Sequence, residues 1–334
     1  MTEIVDLDEL AAMVPSGARL GIGGVHFSRL PIALVEAVLA LRRRDFIFIS
    51  WGGGLALELF LEARAVKKLI FCFSSMDIFG LAPRFRRALE NEEIETEEWS
   101  ALAMIQALHA AHFNLPELPF QLPLGSDMMS QGDFWRKTKA SFGGEAAGPI
   151  GIVRRLDVDV LLIHAQRADR EGNVEIQGAR GLDLSMLGAS KNVLFTVEEI
   201  VEAGRMGDAP KSFVVPRTFV TAIAPAPLGA YPTSCLPYYS TDYRQLLEYV
   251  KEEAGRQSAA PGPTAPPGGQ APASAAAVPR FRCSGQRQRF LGRAATIQAS
   301  DLAASLRAEG RPEAAGKDAY SVDELLAVCL AREY

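Results

Sequence analysis

A cluster of polar residues at positions 164–173 follows a short apolar segment and is the clearest candidate for a functional site in this sequence. The cluster contains a histidine, a glutamine, two arginines and two acids, which are side chains that bind ligands or move protons. The apolar run Val158–Ile163 is typical of a strand buried in a parallel sheet, and such sheets bind ligands at the carboxyl ends of their strands. The sequence therefore predicts a strand over 158–163, a turn after it, and a site that includes Gln166.

A second candidate is a loop with two adjacent glycines, Gly23 and Gly24, which follows a predicted strand and opens a helix. Glycines let backbone N–H groups approach a ligand closely, and a helix N-terminus favours negative charge. The loop is not a dinucleotide fingerprint, because His26 stands where the third glycine belongs and the next strand is followed by Trp51 and three glycines instead of an acid. The remaining alternative is that the glycines only allow a strand and a helix to pack tightly.

Three further polar residues follow other predicted strands or precede a helix. Ser75 and Asp77 could bond a ligand carbonyl or amide, although serine and aspartate are equally ordinary turn residues. Glu98 lies just before a predicted helix, where a carboxylate complements the helix dipole. We expect Glu98 to act as an acid or base only if it is buried beside the glycine loop.

Metal and nucleophile motifs are not recognisable. His109 and His112 share a helix face, but no acid or cysteine at ligand spacing accompanies them, so we predict no metal. There is no Gly-x-Ser-x-Gly motif, and Cys72 lies inside a predicted apolar strand, where a thiol is normally inert. We therefore expect that chemistry at this site needs a second chain.

The elements that would position these residues alternate between strand and helix. Such alternation implies right-handed βαβ units and an open, mostly parallel α/β sheet flanked by helices. Pro31 suits the first turn of a helix and Asp242 can cap one. Besides 158–163, the predicted strands are 19–23, 46–51, 68–74 and 193–196, and the predicted helices are 31–43, 54–64, 83–93, 100–113 and 242–253.

Composition and charge exclude several classes of protein. Of the 334 residues 48% are hydrophobic, which suits a globular domain, yet no window reaches the about 18 apolar residues of a membrane span. The first ten residues are acidic and unlike a secretory signal. The four cysteines form no CxxC pair, so we expect reduced thiols in the cytoplasm. A net charge of −5 argues against nucleic acid as the main partner.

The composition also predicts three regions. Residues 1–254 form the α/β domain, and residues 255–280, rich in proline, alanine and glycine, form a solvated linker. Residues 281–334 hold a basic segment and a short C-terminal helix at 321–334. Ser321 can cap this helix, and an acid follows three residues later, as in a capping box. The arginines of 280–293 are typical of a solvated, disordered segment, although they could contact an anionic partner.

Four motifs follow one another along the chain, and their order and spacing carry a resemblance to a known family. They are Gly23-Gly24-x-x-x-x-Arg29-x-Pro31, Ile163-His164-Ala165-Gln166 followed by Ala168-Asp169-x-x-Gly172-Asn173, Thr196-Val197-Glu198-Glu199-Ile200, and Pro227-Leu228-Gly229-Ala230-x-Pro232-x-x-Cys235. With them the stretch 7–254 resembles the family I CoA-transferases, and most of all the A subunit of the glutaconate CoA-transferase group. Val25 replaces the phenylalanine of the commoner signature, and Arg29 stands where many members have glycine.

This resemblance implies a heteromeric enzyme with no tightly bound cofactor, whose substrates are CoA, an acyl-CoA and a (di)carboxylic acid. A glutamate of the partner B subunit would attack the thioester and pass through a mixed anhydride and a glutamyl-CoA thioester. By the same resemblance, Arg29 pairs with a substrate carboxylate or a CoA phosphate, and donors near the reacting carbonyl stabilise the oxyanion. The residues implied to line the acyl and CoA pocket are Gly23, Gly24, Arg29, Ser75, Asp77 and Gln166.

The same A-subunit resemblance extends to proteins with two other activities. One belongs to a hydrolase that opens a ring in steroid-derived CoA thioesters, and another belongs to a decarboxylase acting on a branched glutaconyl-CoA. A different class is a non-catalytic module that binds CoA or a carboxylate; it predicts a stable chain without a partner, whereas an enzyme subunit predicts an apolar face that needs one. The segment 321–334 also resembles the opening helix of a B subunit.

Overall fold

Short apolar strands alternate with helices and build a ten-stranded sheet with a small three-stranded sheet beside it. The structure is a computed structural model that describes residues 2–123, 125–130, 132–139, 148–204, 206–207 and 212–259. The strands of the large sheet are β1 (Glu3–Ile4), β2 (Arg19–Ile22), β3 (Phe46–Ser50), β4 (Val66–Phe71), β5 (Glu95–Glu98), β9 (Val158–Asp169), β10 (Val174–Gln177), β11 (Ser190–Val201), β12 (Ser212–Val215) and β13 (Ala222–Pro225). Those of the small sheet are β6 (Glu117–Phe120), β7 (Trp135–Lys139) and β8 (Pro149–Arg154).

Helices cover both faces of the large sheet. They are α1 (Leu7–Ala12), α2 (Ile32–Ala40), α3 (Gly54–Glu62), α4 (Pro83–Glu90), α5 (Ala101–His112), α6 (Asp183–Ala189) and α7 (Tyr243–Ala259). Among the described residues, none of these helices has the length and apolar character needed to cross a bilayer.

The main path of the sheet runs β1-β13-β11-β9-β2-β3-β4-β5 with parallel pairing throughout, and β10 and β12 are added antiparallel. The predicted open, mostly parallel α/β sheet is thereby confirmed. Successive residues of β9 alternate between two cores: Leu162 belongs to the core shared with α1, α2, α3, α4 and α7, whereas Leu161 and Ile163 belong to the core shared with α5 and α6. Burial on both faces explains why the central strands are apolar at nearly every position.

Several sequence-based boundaries were wrong, and three of them affect residues discussed above. The strand predicted over 158–163 continues to Asp169, so the polar residues from His164 onward lie in β9 and only Arg170–Asn173 form the turn. Helix α7 extends to Ala259, so the first residues of the predicted linker are helical. Cys72 lies just beyond β4 instead of inside it. The remainder of the predicted linker, the basic segment and the C-terminal helix lie outside the described residues.

A buried glutamate joins three helices on one face of the sheet. Glu58 of α3 accepts hydrogen bonds from the backbone N–H groups of Arg84 at 2.9 Å and Phe85 at 2.8 Å, which are free donors in the first turn of α4. The Tyr249 hydroxyl of α7 lies 3.1 Å from the same carboxylate. Burial raises the pKa of Glu58 to about 7, although these hydrogen bonds oppose the shift.

Candidate functional site

The carboxyl ends of β2, β3 and β4 lie side by side, and the loops that follow them converge. A Cβ atom placed on Gly54 would lie 3.7 Å from the carbonyl oxygen of Ser75 and 3.8 Å from that of His26. These three residues follow three different parallel strands, so their convergence creates a cleft at the carboxyl edge of the sheet. This is the edge at which the sequence predicts a site.

The cleft is small within this chain, with a volume of about 30 Å³, and it is partly open to solvent. Its lining is mostly apolar, and among the described residues that line it there is no carboxylate, thiol, lysine or arginine. The Ser50 hydroxyl accepts a hydrogen bond from the Gly53 N–H group. The lining residues are Ile22, Gly24, Val25, His26, Leu30, Ser50, Trp51, Gly52, Gly53, Leu182 and Met186.

Three aromatic rings cluster at this cleft, one after each of the three strands. The ring centroids of His26 and Trp51 are 6.3 Å apart, and the Phe73 centroid lies 6.2 Å from His26 and 5.8 Å from Trp51. The Nδ1 atom of His26 and the Nε1 atom of Trp51 are buried, and neither has a hydrogen-bond partner among the described residues. A buried polar atom without a partner costs about 1–3 kcal/mol, so two in one small cleft mark it as a place for a ligand.

The glycine loop is held in an unusual backbone conformation. Gly24 has a φ of +83°, and a Cβ atom there would lie 2.6 Å from the carbonyl oxygens of Ser28 and Arg29. The Gly23 N–H group donates to Leu162 O at 2.8 Å, and the Gly24 N–H group donates to Asp183 Oδ1 at 2.7 Å. Both amides are therefore occupied within the chain, and Gly24 itself lines the cleft.

Arg29 also has partners inside the chain instead of a substrate. Its side chain is fully buried, and Nη2 lies 2.8 Å from Asp183 Oδ2. Nη1 donates to His164 O at 3.2 Å, and Nη2 also donates to Ala179 O. The guanidinium has no exposed surface in this chain, and the pairing of Arg29 with a substrate carboxylate or CoA phosphate stays a prediction.

Gln166 is likewise committed to structural contacts. Its side chain is buried, Nε2 donates to Leu236 O at 2.6 Å, and Oε1 accepts from the Gln177 N–H group at 2.9 Å. The amide joins β9 to β10 and to the loop that contains Leu236. Both ends of the amide are thus occupied within the chain, and a place for Gln166 in the substrate pocket stays a prediction.

The remaining predicted site residues lie at the carboxyl edge. Ser75 is half-buried beside the cleft, and its hydroxyl accepts from the N–H group of the exposed Asp77 at 3.3 Å. Glu98 ends β5 just before α5, but it is exposed instead of buried beside the glycine loop, so this chain alone does not meet the condition set for an acid or base. Burial, followed by the nearby charge of Glu98, raises the pKa of the Cys72 thiol to about 12 and keeps it protonated.

A buried polar network behind the cleft was not predicted. Glu198 Oε1 lies 2.7 Å from His164 Nε2 and accepts from the Tyr239 hydroxyl at 2.5 Å, while Oε2 accepts from the Leu228 N–H group at 2.7 Å. His164 Nδ1 lies 2.9 Å from the Thr196 hydroxyl. The parallel register that places Thr196 opposite His164 was the missing information. The network ties β9 and β11 to the 227–239 loop.

This network also contains a set of atoms of the kind that bind metals. The ligand atoms of His164, Glu198 and Cys235 lie within 4.8 Å of one another. Both nitrogens of His164 already have protein partners, and burial, followed by the charge of Glu198, raises the pKa of the Cys235 thiol well above its usual value. His164 and Glu198 therefore serve each other as hydrogen-bond partners in the structure, and the Cys235 thiol lies beside them.

Three large apolar side chains are exposed on loops of the carboxyl edge. Phe73 is 38% exposed, Leu81 62% and Leu236 61%. Leu81 pairs through its backbone with Ser75, and the loop of Leu236 pairs with the glycine loop through Ser28 and Ser234. The apolar surface therefore adjoins the cleft.

Comparison with known proteins connects this site to one family. The family model named Coenzyme A transferase matches residues 4–226. The A subunit of glutaconate CoA-transferase from Acidaminococcus fermentans is 27% identical over 269 residues, which cover 75% of this chain and 83% of that protein. The cholesterol ring-cleaving hydrolase IpdA subunit of Mycobacterium tuberculosis is 30% identical over 262 residues, which cover 75% of this chain and 88% of that protein.

Solved structures of proteins in the same family share the fold of this chain. A variant of the decarboxylase AibA/AibB superposes with a TM-score of 0.69 at 28% identity, covering 77% of this chain and 95% of the matched chain. The crystal structure of glutaconate coenzyme A-transferase from Acidaminococcus fermentans has the same TM-score at 27% identity, covering 77% of this chain and 87% of that one. Several relatives are named as A subunits, which implies a second kind of chain, and the activities in their names differ. From the extent of the family match and the shared fold, this chain belongs to the Coenzyme A transferase family.

Proposed function

We propose that this chain is the A subunit of a heteromeric enzyme that transfers CoA between an acyl-CoA and a carboxylic acid. The observation that carries the proposal is the chemistry of the cleft, which offers two unpartnered ring nitrogens but no carboxylate or thiol nucleophile among its described lining residues. CoA transfer through a covalent intermediate needs a nucleophile that accepts the acyl group and then CoA. A second chain must therefore supply it.

The partner would cover the carboxyl edge of the sheet. Phe73, Leu81 and Leu236 are exposed there, and burying them against a second chain would add hydrophobic free energy to assembly. The same contact would close the cleft, which is open and small in this chain alone. A closed cleft excludes water and so favours transfer of the acyl group over its hydrolysis.

The reaction then follows four exchanges, two with the first acyl group and two in reverse with the second. The partner's glutamate attacks the acyl-CoA carbonyl and releases CoA as a thiolate, which leaves a mixed anhydride. The thiolate attacks the glutamyl carbonyl of that anhydride, releases the first carboxylate, and forms a glutamyl-CoA thioester. The second carboxylic acid repeats these steps in reverse and leaves as its CoA ester. In each step this chain would orient the acyl group and hold its oxygen, with His26 and Trp51 as the groups that have free hydrogen-bonding capacity.

The test is to purify the chain through a tag from its own cells and identify what accompanies it. We expect a second chain of similar size, and the complex should move CoA from an acyl-CoA to acetate or another carboxylate. Mass spectrometry of the complex after incubation with acyl-CoA should find a glutamate of the partner carrying CoA. A lone, well-folded chain that binds CoA without turnover would contradict the proposal and favour the non-catalytic binding module.

A hydrolase subunit is the second candidate, and one observation favours it. Glu98 is an exposed carboxylate at the carboxyl edge, and it forms no ion pair or hydrogen bond through its side chain within the described ranges. A carboxylate without a partner can act as a base towards water once a second chain covers it. The 30% identity to a ring-cleaving hydrolase subunit supports the same direction.

Replacing Glu98 by Gln separates the two candidates. A hydrolase that uses this base should lose at least about a hundredfold in rate, whereas a transferase that uses the partner's glutamate should change by less than about threefold. Glu95→Gln is the matched control, because Glu95 is equally exposed at the other end of β5. Release of CO₂ from a carboxylated acyl-CoA, with neither transfer nor ring opening, would instead indicate a decarboxylase.

A further inference from the structure

The carbonyl oxygen of Phe27, the residue after His26 in the glycine loop, accepts three hydrogen bonds from the segment between β13 and α7. The Ser234 N–H group donates at 2.8 Å, the Ser234 hydroxyl at 3.0 Å and the Thr241 hydroxyl at 3.1 Å. In the other direction, the Arg29 N–H group donates to Ser234 O at 2.7 Å. A carbonyl oxygen has two lone pairs, so three donors at one oxygen hold it firmly. Ser234 therefore holds the glycine loop through its N–H group, its hydroxyl and its carbonyl.

His26 lies between two anchored points of this loop. Before it, the Gly24 N–H group donates to a carboxylate at the start of α6, and after it the Phe27 carbonyl is held by Ser234. The backbone of His26 has a φ of +50°, an unfavourable conformation that persists only where the surrounding contacts impose it. In this conformation the His26 ring lines the cleft, with its centroid 6.3 Å from that of Trp51. The position of the ring therefore depends on both anchors.

The side chain of Phe27 is held by different contacts from its carbonyl. Its ring is 5% exposed, and its centroid lies 6.2 Å from those of both Phe79 and Tyr243. Ring packing of this kind does not fix the direction of the carbonyl, so the hydrogen bonds must do so. Ser234 is not among the described residues that line the cleft. Its effect on a bound substrate must therefore pass through the glycine loop.

Building on the function proposed above, on which this inference rests, we propose that Ser234 is a positioning residue, which fixes the Phe27 carbonyl and thereby holds the His26 ring against the reacting acyl group. His26 contacts the substrate, and Ser234 acts through it. Thr241 supports the same oxygen with a second hydroxyl. Removing the Ser234 hydroxyl takes away orientation of the bound substrate instead of contact with it, so turnover should suffer more than binding.

The experiment uses the full chain in complex with its partner and measures transfer of CoA from an acyl-CoA to acetate. Ser234→Ala removes the hydroxyl and keeps the backbone N–H group that donates to Phe27. We expect kcat to fall by about tenfold, the effect of one hydrogen bond, while KM for the acyl-CoA changes by less than about twofold. In a His26→Ala background the same replacement should lower kcat by less than about twofold, because the ring that Ser234 positions is absent.

Thr233→Val is the matched control. Its buried hydroxyl lies in the same loop, one residue away, but donates to Ala230 O instead of Phe27 O. It should lower the urea midpoint of the complex much as Ser234→Ala does, yet leave kcat within about twofold in both backgrounds. If Ser234→Ala does not fold, Thr241→Val removes the other hydroxyl at the same oxygen and completes the same cycle with His26→Ala.

The outcomes distinguish this inference from the function on which it rests. If the complex transfers CoA from no acyl-CoA to any carboxylate, the proposed function fails and the inference fails with it. If the complex transfers CoA but Ser234→Ala lowers kcat equally with and without His26, the hydroxyl is merely structural and the inference is overturned. A rise in KM at unchanged kcat would also overturn it, because Ser234 would then contribute to binding instead of orientation.

Discussion

Arg29 and Asp183 form a fully buried ion pair, with Arg29 Nη2 2.8 Å from Asp183 Oδ2. The pair joins the loop after β2 to the first turn of α6, where a carboxylate also complements the helix dipole. The other oxygen of Asp183 accepts from the Gly24 N–H group, so one carboxylate holds the loop at two points. The shape of the cleft depends on this contact, because Gly24 and Leu182 both line it.

Breaking this pair should be far more costly than breaking a surface pair. We expect Asp183→Ala to lower the free energy of unfolding by about 3–5 kcal/mol, because it leaves the Arg29 charge buried without a partner. Lys191→Ala is the control: its exposed pair with Asp159 has a similar distance of 2.7 Å and should contribute less than about 1 kcal/mol. Urea unfolding of the full chain measures both values, and equal losses would contradict the structural role of the pair.

The backbone of Gly24 supports a second prediction. Alanine at this position would combine an unfavourable φ of +83° with a Cβ atom 2.6 Å from two carbonyl oxygens. We expect Gly24→Ala to destabilise the chain by more than about 2 kcal/mol and to lower turnover of the complex. Gly17→Ala is the matched control, because Gly17 has a similar φ of +78° but no atom lies within 4 Å of the added Cβ. This variant should therefore show only the cost of the positive φ, about 1 kcal/mol. Similar stabilities for the two variants would refute the steric argument.

The sheet was predictable from the sequence because its central strands are apolar and are separated by helical periods. The strand β5 was not, since its four residues are Glu95-Thr96-Glu97-Glu98 and it lies at an edge, where side chains remain in solvent. The aromatic cluster had a visible signal, because Trp51 and Phe73 follow strands that end at one edge. We did not predict it because the predicted strands 46–51 and 68–74 contained both residues, whereas β3 ends at Ser50 and β4 at Phe71.

The partners of buried polar residues could not be predicted. Asp183 is 154 positions from Arg29, and Glu198 is 34 positions from His164. Only the strand order and register bring such residues together. From local sequence alone, Arg29 in its glycine loop is consistent with anion binding. In the structure its anion is the carboxylate of Asp183.

The Glu198 network supports a third prediction. Glu198→Gln keeps the size of the side chain but weakens its contacts with Tyr239, Leu228 and His164. We expect a loss of about 2–3 kcal/mol in the free energy of unfolding, because buried hydrogen bonds to a charged acceptor are the strong ones. Glu199→Gln is the control: Glu199 is exposed, it accepts from the Tyr238 hydroxyl at 2.6 Å, and its replacement should cost less than about 1 kcal/mol. A larger effect at Glu199 would show that the network does not hold the 227–239 loop.

The exposed apolar edge supports a fourth prediction about assembly. Leu236→Glu should weaken binding of the partner chain by at least about tenfold, because a charge would be desolvated where Leu236 is now 61% exposed. Leu41→Glu is the control: Leu41 is 44% exposed at the end of α2, at the opposite edge of the sheet. Analytical ultracentrifugation of the co-expressed chains measures both. If Leu41→Glu alone dissociated the complex, the partner would bind at the other edge.

The buried carboxyl of Glu58 supports a fifth prediction, on the pH dependence of stability. Its pKa is raised from 4.5 to about 7 in the folded chain, with burial as the main cause. Between these values the folded chain holds a proton that the unfolded chain has released. The free energy of unfolding contributed by this group is therefore fully present below about pH 4.5 and is lost as pH rises towards 7. A shift of this size corresponds to about 3 kcal/mol.

Other charged groups face the same helices and also titrate, so a comparison between variants is needed. Burial raises the pKa of Glu62 as well, and Arg84 and Glu253 lie close by. Glu58→Gln removes one titration while keeping the side-chain size. Between about pH 5 and pH 7.5 the free energy of unfolding should therefore fall by about 2 kcal/mol less in this variant than in the wild type. Glu90→Gln, which alters an exposed pair with Arg86, should leave the pH dependence unchanged. Urea unfolding at the two pH values measures these slopes. If Glu58→Gln and the wild type had equal slopes, Glu58 would be ionised throughout and its hydrogen bonds to α4 and Tyr249 would outweigh its burial.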